Sequence, residues 1–185
     1  FCLSRGLGDV YKRQALDIDP RYPGFEFWGS GSTGGLYNAA TCDPDPVKGP
    51  RARQISASKP RQINFGVWWD GDLLRELLDG TEISKWDWEA GVTRTLLAPP
   101  EVVSINGTKA TPCLSADILG DWREEVIWPT ADNTELRIYT TTIPTAHRLP
   151  TLMHDRQYRL AVAWQNVAYN QPPHPSFALT EPPRP

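Results

Sequence analysis

Carboxylates recur in this chain at spacings that suit a cation. Asp117, Asp121 and Glu125 lie at intervals of four along a short loop that bends at Gly120. Two upstream stretches echo it: Asp17 and Asp19 lead to Glu26, and Asp70 and Asp72 lead to Glu76. An apolar run follows each glutamate, Phe27-Trp28, Leu77-Leu78 and Val126-Ile127-Trp128. Hard cations such as Ca²⁺ take several oxygen ligands, and a tight loop supplies them when carboxylates gather on one side of a turn. All of these acidic residues are therefore candidate Ca²⁺ ligands. Their role would be structural, because crowded carboxylates repel one another unless a cation joins them. The competing reading is that they cap turns and pair with Arg21, Arg75 and Arg123.

Two further stretches carry groups that suit a polar ligand. Asn106-Gly107-Thr108-Lys109 is a turn by its Asn-Gly pair and a glycosylation sequon by its Asn-x-Thr. Composition favours a hairpin tip. The stretch from Trp164 to His174 places amides between Trp164 and Tyr169 and ends in Pro172-Pro173. It reads equally as a polar binding surface and as a chain end tied down by its aromatics. His147, His154 and His174 are isolated and lack metal-ligand spacing. Cys2, Cys42 and Cys113 are an odd number, without zinc-site spacing; a Cys42–Cys113 bridge is open but not readable from sequence.

These groups need a scaffold, and its elements read as strands. Runs rich in β-branched and aromatic residues follow each acidic loop, separated by turn signals such as Asp79-Gly80. Each unit reads as loop, strand, turn, strand, with further strands expected at 63–69 and 102–105. The glutamates of successive units stand 50 and 49 positions apart, which indicates a repeat architecture. Short strands in units of this length suggest blades of a β-propeller. Residues 155–167 suit either a short helix or a strand. Residues 44–60 read as a long loop, and residues 180–185 as a Pro-rich tail.

The bulk numbers narrow the class. A length of 185 residues suits about one domain. A mean hydropathy of −0.46 and the absence of a long apolar run exclude a membrane helix. A net charge of −3 gives no reason to expect a nucleic-acid partner. Residues 1–14 have no relation to the repeat, and they resemble translated sequencing-adapter sequence. They are set aside from fold reasoning. Three blades cannot close a propeller, so the expectation is a C-terminal piece, residues 15–179, of a longer chain.

Several motifs go beyond composition. Asn64-Phe65-Gly66-Val67-Trp68-Trp69-Asp70-Gly71-Asp72, Arg75-Glu76-Leu77-Leu78-Asp79-Gly80, the stretch 115–127, the stretch 136–145 and the stretch 152–173 resemble the rhamnogalacturonan lyases of polysaccharide lyase family 11. The resemblance runs from about Ala15 to Phe177, with 44–60 as an insertion. It implies an all-β fold, an eight-bladed propeller holding Ca²⁺ ions, of which this chain supplies about the last three blades. It implies β-elimination at galacturonosyl residues of the rhamnogalacturonan I backbone of pectin. It also implies that Asn106, Gly107, Thr108 and Tyr169 contact rhamnose, and that Lys109 is a candidate for proton transfer. The family's catalytic arginine has no secure counterpart; Arg21 and Arg75 are candidates only as neighbours of the acidic loops. The parent enzyme is expected to be a monomer, secreted, periplasmic or at the cell surface. The alternative is a non-catalytic Ca²⁺-binding propeller module that binds carbohydrate or protein, since a fold alone implies no chemistry.

Overall fold

The structure, a computed structural model, describes residues 14–29, 34–44, 50–61, 63–107, 109–167 and 170–179. They form three antiparallel sheets and one α-helix. The first sheet runs in sequence order: β1 (Gln14–Leu16), β2 (Glu26–Trp28), β3 (Leu36–Asp43) and β4 (Arg51–Ser56). The second repeats that order with β5 (Phe65–Val67), β6 (Glu76–Asp79), β7 (Glu82–Asp87) and β8 (Val92–Leu97). The third has β9 (Leu114–Ala116), β10 (Glu125–Pro129) and β11 (Leu136–Tyr139). The helix, α1 (Arg156–Trp164), settles the ambiguity at 155–167. Asp155 caps it by accepting from the Tyr158 N–H at 2.9 Å. No described helix is long and apolar enough to cross a membrane.

Strand periodicity explains how the sheets stack. Successive side chains of a strand point to opposite faces. Leu77 of β6 joins Leu16, Ile18, Trp28 and Leu36 of the first repeat, while its neighbour Leu78 joins Val126 and Trp128 of the third. The middle sheet is therefore buried on both faces: every residue of β5 and the first three of β6 are buried. Gly66 lies between Phe65 and Val67 on the face toward the first sheet. A Cβ there would stand 2.7 Å from Leu16 Cδ1, so only glycine lets the two sheets approach this closely.

The structure corrects several element boundaries. The stretch 44–60 contains β4, an edge strand. Its polar Arg-Ala-Arg-Gln composition hides it, because an edge strand needs little apolar alternation. β8 escapes for the same reason, having mostly exposed Thr and Arg positions. Residues 102–105 form no strand; Val102 makes only an isolated bridge to Thr130. The β6–β7 loop is Gly80-Thr81, with Asp79 paired to Glu82, and Gly80 takes a φ of 63°. Cys113 is a free thiol, so the Cys42–Cys113 bridge is not formed.

Candidate functional site

The acidic repeats share one backbone device. In each sheet the first glutamate of β2, β6 or β10 turns one carboxylate oxygen back into the preceding loop. Glu26 Oε2 accepts from the N–H groups of Ile18 and Asp19, both at 3.1 Å. Glu76 Oε2 accepts from Trp69 and Asp70 at 2.8 and 3.2 Å. Glu125 Oε2 accepts from Ile118 and Leu119 at 2.8 and 2.9 Å. The other oxygen meets the residue across the strand ladder: Asn38 Nδ2 at 2.9 Å, Lys85 Nζ at 3.1 Å and Thr140 Oγ1 at 3.0 Å. The downstream aspartates, Asp19, Asp72 and Asp121, each accept from the N–H two residues on and set the turn.

The loops differ in where their carboxylates converge. Among the described residues, Asp70, Asp72 and Glu76 form the one group whose oxygens come within 4.8 Å of one another. In the first loop Asp19 is gripped by Arg21, with contacts of 2.8 and 2.6 Å. In the third, Asp121 is paired to Arg123 at 2.7 Å. Asp117 gives one oxygen to the Gly120 N–H and the other to Thr151 Oγ1 and the Leu152 N–H. The turn-capping reading thus holds for Arg21 and Arg123, while Arg75 pairs elsewhere. Burial, with Asp72 and Asp19 adding to it, raises Asp17 to about 6. Burial likewise lifts Glu26 to about 7 against its hydrogen bonds from Asn38, Ile18 and Asp19.

The donor set of the middle loop, three carboxylates, suits a hard cation. Its centre is held by Lys85, whose Nζ contacts Asp70, lies 2.7 Å from Asp72 and 3.1 Å from Glu76. Burial works against the ammonium, but Glu76, Asp70 and Asp72 together hold its pKa above the usual lysine range.

A second charged group lies between the middle and third repeats. Arg75 and Glu124 occupy equivalent positions, each just before the repeated glutamate. Both are buried, and Arg75 Nη2 meets Glu124 Oε2 at 3.0 Å. The backbone repeats here too: the Arg75 N–H donates to the Asp17 carbonyl, and the Glu124 N–H donates to that of Trp68, both at 2.8 Å. Tyr158 donates from its hydroxyl to Glu124 Oε1 at 2.7 Å and accepts from the Asp117 N–H at 2.9 Å, locking α1 onto the third loop. The Arg75 guanidinium lies 3.9 Å from the Trp68 ring centroid. Its Nη1 meets His174 Nδ1 at 3.2 Å. A guanidinium only donates, so Nδ1 accepts and the ring is neutral with its proton on Nε2. Burial, reinforced by Arg75, lowers His174 to about 3. Arg75 is enclosed by these partners, while the half-exposed Arg21 is paired to Asp19.

The stretch 106–109 is a tip, as its composition predicts. Asn106 bridges Thr111, its Oδ1 accepts from the Lys109 N–H at 3.0 Å, and its carbonyl accepts from Ala110 at 2.6 Å. Asn64 Nδ2 donates to the Lys109 carbonyl, and the Gly80 N–H donates to that of Ala110 at 2.8 Å. The base of the tip is tied to the last segment. Asn166 Nδ2 reaches the Cys113 carbonyl at 2.7 Å, and Gln165 pairs with both backbone groups of Ser115. Asn170 Nδ2 in turn donates to Asn166 Oδ1 at 3.0 Å. The last segment is thus tied to residues 112–115, which follow the tip. Thr108 and Tyr169 themselves lie outside the described residues. A concavity of about 710 Å³ lies elsewhere, along α1, walled by Gln157, Trp164, Gln171 and His174.

Sequence reasoning missed Lys85, Asn38, Thr140 and the Glu124–Tyr158 pair. Lys85 and Thr140 had a signal, since each falls opposite its glutamate once the strand register is known.

Comparison with known proteins gives the family. The model of "Rhamnogalacturonan lyase family 11, C-terminal domain" matches residues 4–183. The rhamnogalacturonan endolyase YesW of Bacillus subtilis is 57% identical over 171 residues, covering 92% of this chain and 25% of that protein. The rhamnogalacturonan exolyase YesX of the same organism is 49% identical over 192 residues, covering 96% and 30%. The crystal structure of rhamnogalacturonan lyase YesW superposes with a TM-score of 0.79 at 55% identity, over 93% of this chain and 28% of that one. The chain spans about a quarter of the length of that endolyase. On the repeated glutamate clamps, the stacked four-stranded sheets and this match, the chain belongs to rhamnogalacturonan lyase family 11.

Proposed function

We propose that this chain supplies C-terminal blades of a β-propeller rhamnogalacturonan lyase, which cleaves the rhamnogalacturonan I backbone of pectin by β-elimination. The match across residues 4–183 carries this reading. In the proposed reaction Lys109, as an uncharged amine, takes the C5 proton of a galacturonosyl residue. The electron pair forms the C4–C5 double bond, the bond from C4 to its glycosidic oxygen breaks, and the departing oxygen takes up a proton. A lysine does this near neutral pH only where its surroundings lower its pKa from about 10.4. Asn106, Gly107, Thr108 and Tyr169 are assigned to the neighbouring rhamnose. Ca²⁺ is the proposed cation for carboxylate sites of the parent enzyme, because their oxygens are hard ligands. At Asp70, Asp72 and Glu76 it would have to expel Lys85.

The substrate is a polymer, which places the parent enzyme outside the cytoplasm: secreted, periplasmic or at the cell surface, and acting as a monomer. A propeller cleft is built by many blades, so the chain alone is expected to be inactive. The ultraviolet absorbance of the unsaturated uronate on rhamnogalacturonan I measures this; clear turnover by the isolated chain removes that part of the reading. In the parent enzyme, Lys109→Ala is expected to abolish turnover while melting normally. Unchanged turnover would exclude Lys109 as the base.

A further inference from the structure

We infer that Lys85 is the built-in cation of the middle loop: its ammonium takes the place of a divalent ion between Asp70, Asp72 and Glu76, and locks this sheet without metal. The three repeats provide the comparison. The partner opposite the glutamate is neutral in the outer sheets, Asn38 and Thr140. In the middle sheet it is Lys85. The register fixes this position, because one step beyond the Leu77–Ser84 pair places Lys85 opposite Glu76.

The change of partner follows the local charge. In the outer loops the turn-forming aspartate carries its own arginine two residues on, Asp19 with Arg21 and Asp121 with Arg123. The middle loop has Leu74 at that place. It also has Asp70 where the third loop has Leu119, each donating its N–H to the repeated glutamate. It therefore sets a carboxylate beside the glutamate where the third loop has a leucine, and it lacks the local arginine. Lys85 reaches across from β7 and contacts all three carboxylates at once. Each loop so carries a cation of its own. A Ca²⁺ ion entering the middle loop would have to displace an ammonium already held by three carboxylates.

The test reads ion binding and melting of the 185-residue chain, and does not depend on turnover. Tb³⁺ is titrated with Trp69 beside the loop as sensitiser, with Ca²⁺ as competitor. Wild type is expected to match Asp70→Asn/Asp72→Asn, showing no site at this loop. Lys85→Met empties the centre, melts below wild type in chelator and recovers on adding Ca²⁺. It binds the ion at least roughly tenfold tighter than wild type, since carboxylate count and a free centre set affinity. Binding by wild type that is lost in Asp70→Asn/Asp72→Asn, or a wild-type Tm that falls in chelator, would overturn the inference. So would a folded Lys85→Met that gains no binding. If Lys85→Met does not fold, the wild-type comparison with Asp70→Asn/Asp72→Asn decides alone.

Discussion

The middle and third loops start from nearly the same pattern and use their charges in opposite ways. Asp70-Gly71-Asp72 and Leu119-Gly120-Asp121 both end in a glutamate that accepts two loop N–H groups. In the middle loop the side chains gather on one ammonium. In the third they spread outward, Asp117 to Thr151 and Leu152, Asp121 to Arg123. The backbone device is therefore set by the glutamate and the turn-forming aspartate, while the neighbours decide whether a cation centre forms. The residues just before the glutamates differ as well: Arg75 in one repeat and Glu124 in the other pair across the interface.

That last difference gives the largest expected effect. Glu124→Ala leaves the Arg75 charge buried and removes the acceptor of the Tyr158 hydroxyl and the Trp68 N–H. Breaking a buried pair from one side costs about 3–5 kcal/mol. Denaturant melts should show that loss, and Arg75→Met/Glu124→Leu should recover much of it. If the double substitution is as unstable as Glu124→Ala, then the polar contacts to Trp68 and Tyr158, and not the charge pair, join the repeats.

The repeated glutamates come next. Glu125→Ala orphans the Leu119 N–H and the Thr140 hydroxyl and leaves the Ile118 N–H only the Ala116 carbonyl, at about 1–3 kcal/mol for each orphaned group that water does not reach. Glu125→Gln keeps an acceptor and faces only neutral donors, so it should cost less than Glu76→Gln, which strips charge from beside Lys85. Equal losses in urea melts would mean that the two clamps are energetically alike despite their different partners.

Much of this contrast was legible in the sequence, and its hidden part has a specific cause. The three acidic repeats, the apolar runs behind them and the tip at 106–109 are all patterns of local composition. Lys85 depends on register. A loop of Asp79-Gly80 would set Ile83 opposite Glu76, whereas the observed Gly80-Thr81 loop sets Lys85 there. A shift of one residue at a turn changes the partner of every residue behind it. Arg75 and Glu124 depend on how two sheets stack, and a buried pair of charges 49 positions apart leaves no local trace. The edge strands β4 and β8 were hidden by their polar faces.

The middle loop's arginine also carries a pH signature. His174 is neutral against Arg75, lowered to about 3 from an ordinary 6.5. Below 6.5 the unfolded chain takes a proton that the folded chain refuses, so this group removes about 1.4 kcal/mol of stability per pH unit as the pH falls. Glu26 works in the other direction, because its folded value near 7 lets the folded chain take protons first. The difference between wild type and His174→Asn isolates the histidine. The variant keeps an acceptor for Arg75 and should lose less stability than wild type between pH 6.5 and 4.5. Parallel curves would show that the ring is protonated in the folded chain.

The smallest effect belongs to the third loop's outer edge, and it separates turn from charge. Asp121 is about half exposed, so its pair with the mostly buried Arg123 is open to solvent at the carboxylate. Such a pair contributes about 0–1 kcal/mol and weakens with salt. Asp121→Asn keeps the side-chain oxygen that accepts the Arg123 N–H at 3.1 Å, and so keeps the turn. Asp121→Ala removes both turn and pair. If the charge matters, Asp121→Asn should differ from wild type at low ionic strength and converge on it in high salt. If the loop is set by its backbone, Asp121→Asn melts like wild type at every salt concentration and only Asp121→Ala falls. The geometry favours the second outcome here, since Arg123 also donates to the Ile143 carbonyl at 2.6 Å and keeps a partner when the charge opposite is gone. At the middle loop the corresponding Asp72→Asn should be salt-insensitive for a different reason: Lys85 retains Asp70 and the buried Glu76.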